Sequence, residues 1–111
     1  MNSEVLKVTQ KVEKRVTELL EDKIYKIILY GSYARGDFSQ NSDIDLMILL
    51  NCKKEEIISY RIPVSKNASS ISLESGIEVS MLLKDRETYE KWMEAVPFYQ
   101  NVEKEGIMLY G

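Results

Sequence analysis

Two carboxylates, Asp43 and Asp45, are the residues in this sequence whose type and spacing best suit chemistry. They stand two apart at the head of an extended run, so their side chains leave the same face and reach into one small volume. Like charges placed there repel, and a bound divalent cation reverses the sign of that interaction. Oxygen donors without histidine or thiolate point to Mg²⁺ or Mn²⁺ rather than zinc. The plainer account is a solvated Asp-x-Asp at a strand start.

Upstream, an apolar run ending at Tyr30 passes directly into Gly31-Ser32. Glycine lets a phosphate approach the backbone, and a hydroxyl together with the amides of a helix start can donate to it. A triphosphate would then lie with its outer phosphates at Gly31-Ser32 and its metal at Asp43 and Asp45. Arg35 could add a positive charge nearby or simply pair with Asp37 at the surface.

The elements that must position these groups follow from periodicity. Val5, Val8, Val12, Val16, Leu19 and Leu20 recur at helical spacing, which predicts a helix from Ser3 to Asp22. Ile24 to Tyr30 reads as a buried strand, Ser32 to Asn41 as a short helix or turn followed by a loop, and Asp43 to Leu50 as a second strand, polar at its near end and buried on both faces over Leu46 to Leu50. A helix is expected between Lys53 and Ser75, kinked or split at Pro63 and ended by Gly76. Ile77 to Leu83 alternates as a third strand, and Asp85 to Ala95 reads as a helix capped by Asp85 and closed by Pro97. A final strand is placed at Ile107 to Tyr110. The order is that of an α/β layer protein, taken as one domain over residues 1–111.

Composition narrows the function classes. With 15 basic against 18 acidic side chains and a net charge of -3, the chain lacks the basic excess of a phosphate-backbone binder, so nucleic acid is not the expected partner. There is no histidine, which removes every mechanism with a His base. Cys52 is the one cysteine and receives no role, because nothing is available to activate it. No apolar run resembles a signal peptide or a membrane span, so a cytoplasmic protein with no membrane association is expected. Tyr89, Trp92, Phe98 and Tyr99 could serve a partner contact, with core packing as the alternative.

The run Gly31-Ser32-Tyr33-Ala34-Arg35-Gly36-Asp37, followed by Asn41-Ser42-Asp43-Ile44-Asp45-Leu46, resembles the signature of the DNA polymerase β-like nucleotidyltransferase superfamily, and most closely its minimal nucleotidyltransferases. The resemblance implies a mixed sheet of three to four strands with flanking helices. It also implies a third carboxylate on a neighbouring strand, for which Glu78 is the candidate, a Glu where many relatives carry Asp. On this reading Asp43, Asp45 and Glu78 are catalytic and hold Mg²⁺, two ions, while Gly31, Ser32, Arg35 and Ser42 bind ATP or another nucleoside triphosphate. The implied reaction is attack by an acceptor hydroxyl on the α-phosphorus, with pyrophosphate leaving. Minimal nucleotidyltransferases are often paired with a helical HEPN-type partner as toxin and antitoxin, and some are reported to transfer AMP to it. The resemblance therefore implies such a partner, or self-association. Two alternatives are a nucleotide-binding module without catalysis and one component of an antibiotic-modifying nucleotidyltransferase.

Overall fold

The computed structural model describes residues 3–111. Its elements are α1 (Ser3–Leu20), β1 (Ile24–Tyr30), α2 (Ser32–Arg35), β2 (Ile44–Leu50), α3 (Ile57–Ser75), β3 (Val79–Asp85), α4 (Arg86–Met93), α5 (Pro97–Glu105) and β4 (Ile107–Tyr110), with 3₁₀ turns before β1 and α3. The strands form one four-stranded mixed sheet in the order β3-β2-β1-β4. β1 is antiparallel to β2 and β4, whereas β2 and β3 are parallel, joined by the crossover helix α3. The expected α/β class and mixed sheet with flanking helices are what the chain forms.

Both faces of the central strands are covered, which is why β1 and β2 read as unbroken apolar runs. On one face Ile27, Leu29, Leu46, Ile48 and Leu83 pack with the stripe Val5, Val8, Val12, Val16 of α1 and with Val64 and Ile71 of α3. On the other, Ile28, Met47 and Leu49 pack against Tyr89 of α4 and Tyr99 and Val102 of α5. Tyr99 collects edge contacts from Tyr89, Trp92 and Phe98; Tyr89 and Tyr99 belong to the core, whereas Trp92 and Phe98 stay exposed around them.

Four boundaries differ from the sequence reading. α1 ends at Leu20, and a 3₁₀ turn over Glu21–Lys23 replaces its last residues. α3 runs through Pro63 without a break: the proline removes one helical donor, while Val64, Ala68 and Ile71 beyond it are buried and hold the helix down. β3 begins at Val79 rather than Ile77, because Ser75 Oγ receives the Ile77 N–H in a local turn that delays the strand. Pro97 opens α5 instead of merely closing α4, sitting at the first helical position where its missing N–H costs nothing. Asp85 does cap α4, accepting from Thr88 N–H at 2.9 Å. Among the described residues, no helix is long and apolar enough to cross a membrane.

Candidate functional site

The antiparallel register sets Tyr30, the last residue of β1, opposite Asp45. The chain then turns at Gly31, whose φ of 78° and ψ of -156° fall where side-chain-bearing residues are scarcely found. That turn lays the Gly31 backbone against the Asp45 carboxylate: a Cβ built on Gly31 would stand 2.6 Å from Asp45 Oδ2. α2 is a single turn, in which the Ala34 and Arg35 N–H groups both donate to the Gly31 carbonyl. Gly36, in the left-handed conformation, ends it.

Asp43 lies just before β2 and is exposed, while Asp45 lies inside β2 and is half-buried. Alternation puts both on the face that carries Met47 and Leu49. The Asp45 carboxyl is pushed above its ordinary range, first by burial and then by the charge of Asp43, with Arg35 pulling the other way. Arg35 is shared: it bonds Asp37 at 3.1 Å and reaches Glu105 of α5 at 3.8 Å, so the surface pair and the positive charge near Asp45 coexist.

Ser42 spends its hydroxyl inside the loop, accepting from Ser39 N–H at 2.8 Å, while Ser42 N–H donates to the Ser39 carbonyl. It orders the approach to Asp43. Glu78 is exposed and stands just before β3, with its carbonyl accepting from Ile44 N–H at 2.9 Å. One step back along the parallel register from the pair Ile44 and Val79, Glu78 falls beside Asp43, and Ser80 is the residue directly opposite Asp45. Among the described residues no three of His, Cys, Asp and Glu stand close enough to hold a metal, so Glu78 does not close a three-carboxylate cluster with the aspartates in this conformation.

One neighbour of the site escaped sequence reasoning. Tyr30 flanks Asp45 on the same face, and its phenol is pushed up to about 12, chiefly by burial and then by Asp45 and Tyr99. Its only sequence signal was its place immediately before Gly31. Burial pushes the Cys52 thiol up.

Residues 9–104 match the nucleotidyltransferase domain family. The chain belongs to that family and is a nucleotidyltransferase. It is 32% identical over 96 residues to the protein named Putative protein adenylyltransferase MJ0141 of Methanocaldococcus jannaschii, covering 86% of this chain and 95% of that one. Among solved structures it is similar to one described as a putative minimal nucleotidyltransferase, with a TM-score of 0.59 and 19% identity over 96% of this chain and 95% of that chain. It is also similar to a toxin-antitoxin crystallised with AMP-PNP, with a TM-score of 0.53 and 23% identity over 89% of this chain and 73% of that chain. At these identities the two structural likenesses speak for the fold.

Proposed function

We propose that this nucleotidyltransferase moves AMP from ATP, with Mg²⁺, to a hydroxyl on a partner protein, a helical HEPN-type chain, as the antitoxin of a cytoplasmic toxin and antitoxin pair. The observation that carries the reading is the Asp45 carboxylate held against the Gly31 backbone beside a second carboxylate, Asp43. The relative named as a protein adenylyltransferase supports the AMP and the protein acceptor, and the toxin-antitoxin neighbour with AMP-PNP supports the pairing and the nucleotide.

The donor set fits Mg²⁺. Asp43 and Asp45 are like charges whose mutual repulsion a cation relieves, and Mg²⁺ is commonly held by one or two carboxylates with the substrate's phosphates supplying further oxygens. When bound, the metal would polarise the phosphoryl oxygens and offset charge on the leaving group. The Gly31 turn seats the Asp45 carboxylate against its backbone, Ser32 offers the phosphates a hydroxyl and Arg35 a nearby positive charge. The acceptor oxygen forms its bond to the α-phosphorus as the bridge to the β-phosphate breaks and pyrophosphate departs with the electron pair. The acceptor's proton passes to Glu78, whose exposed side chain can turn toward Asp43 when the substrates are in place.

The position of Glu78 before β3 and of neutral Ser80 opposite Asp45 favours a second reading, a nucleotide-binding module that acts by association alone. Label from α-labelled ATP, followed into chains that co-purify with the protein, separates the two. Labelling of a co-purified chain by wild type and not by Asp45→Asn is the expected result. Nucleotide binding with no labelled chain leaves the binding module, and no Mg²⁺-dependent nucleotide binding at all overturns both.

A further inference from the structure

β3 is the outermost strand of the sheet, and among the described residues nothing pairs with its far side. α3 lies over this strand, and on the side away from α1 the two enclose a groove of about 450 Å³. The helix face beside that groove is unusual. Ile58, Ile62 and Leu73 are 71%, 68% and 86% exposed. At 3.6 residues per turn the three fall within about 60° of arc, with Ser69 among them, Ser65 about 20° outside and no charged residue between. Large aliphatic side chains gathered on one open face mark an interaction surface.

We infer that a second copy of this chain covers it, in a two-fold dimer that joins the β3 edges into one continuous sheet and sets the two α3 helices side by side. One axis serves both helix and strand. Along α3, the midpoint between residues 65 and 66 relates Ile58 to Leu73, Ile62 to Ser69 and, at the centre, Ser65 to Lys66 of the copy. Along β3, the level of that midpoint is fixed by the hydrogen bond from Val79 N–H to Ser72 Oγ, 2.9 Å long. As the crossover between parallel strands, α3 runs against β3. Going back from Ser72 to the midpoint covers about 10 Å of helix, and the same distance forward from Val79 covers about three strand residues, which reaches Leu82.

An axis at Leu82 also satisfies the backbone. Val79 N–H points outward to Ser72 and the Glu78 carbonyl points inward to Ile44, so by alternation Met81 and Leu83 present their N–H and C=O groups at the open edge. About that axis Met81 of one copy faces Leu83 of the other and each pair exchanges its bonds. Leu82 faces Leu82 and Ser80 faces Lys84, so no two like charges are set directly opposite. The joined layers span about 24 Å along α3 and about 20 Å through helix and sheet. That footprint of roughly 500 Å², before side-chain relief is counted, approaches the accessible area of about 800 Å² per partner in a standard interface.

Sedimentation velocity over a concentration series of the full chain tests this. Wild type is expected to sediment as a dimer at micromolar concentrations, and Ile62→Glu combined with Ser69→Glu, which sets each new carboxylate opposite one of the copy's, to weaken dimerisation by at least about 100-fold. Both positions are exposed and Glu is a good helix former, so the variant's melting curve in dilute solution should match that of wild type. Met108→Lys, on the opposite sheet edge, should leave the dimer intact. A wild type that stays monomeric, whether alone or with another protein bound at α3, overturns the inference. So does a dimer that survives the double substitution or is lost with Met108→Lys.

Discussion

Gly31 and Asp45 touch backbone to carboxylate: the space a Cβ would take on Gly31 is filled by Asp45 Oδ2 at 2.6 Å. The contact arises because β1 ends level with Asp45 and its chain turns across the end of β2. It makes the glycine and the aspartate one unit, in which no side chain can be added at residue 31 without displacing the Asp45 carboxylate.

Gly31→Ala is therefore expected to act twice. Its φ of 78° with ψ of -156° is a nearly glycine-only conformation, which costs an alanine about 1–3 kcal/mol. Its methyl group must also push the Asp45 carboxylate out of place. Denaturant unfolding should register the first effect and Mg²⁺-ATP titration the second. An alanine variant as stable as wild type and with the same affinity would remove the contact from the account.

Asp45→Asn tests the repulsion by pH. Burial and Asp43 raise the Asp45 carboxyl in the folded chain above its unfolded value. Any stability tied to its proton is thus present below the unfolded value and lost as pH rises through the folded one. At neutral pH without metal, the folded state bears the cost of the charge, so Asp45→Asn should melt at a higher temperature than wild type. Below the unfolded carboxylate range the two should converge. Melting curves in chelator across that range decide it, and a variant less stable than wild type at neutral pH would give Asp45 a structural role instead.

At the far end of β3, Asp85 is buried and caps α4 through Thr88 N–H. Asp85→Ala should cost about 0.5–2 kcal/mol in unfolding measurements. β3 begins beside the site and ends at this cap, so Mg²⁺-ATP affinity should hardly change. A large loss of affinity with little loss of stability would mean that the two ends of the strand are coupled.

How much of this could be read from the sequence depends on which interaction decides each element. β1 and β2 were legible because central strands buried on both faces leave continuous apolar runs, and Ile107 to Tyr110 because its β-branched and aromatic residues follow a glycine. α5 was missed because a proline can end one helix or open the next, and only the packing of Tyr99 and Val102 on β1 decides for opening. The start of β3 was set by a local Ser75 turn invisible to alternation. In the site, the residue types of Asp43 and Asp45 carried the signal. The contact of Gly31 with Asp45 and the flanking Tyr30 follow from the β1 to β2 register, which no single segment encodes.

That same kind of register bears on Glu78, whose backbone is tied to β2 while its carboxylate is exposed. If it takes the acceptor's proton, Glu78→Gln should lower nucleotidyl transfer by about 10² to 10⁴-fold, the span typical of removing a general base. Nucleotide binding should fall far less, because on the proposed function Asp43 and Asp45 would still meet the metal and the phosphates. Ser80→Ala is the matched control: Ser80 lies opposite Asp45 but offers no base, and its loss should leave transfer near wild type. Label from α-labelled ATP, counted in the co-purified chain at saturating nucleotide, measures all three proteins together. Equal transfer by wild type and Glu78→Gln would take the proton away from Glu78. If Ser80→Ala alone lost transfer, the residue facing Asp45 across the parallel pair would matter more than the charge beside Asp43.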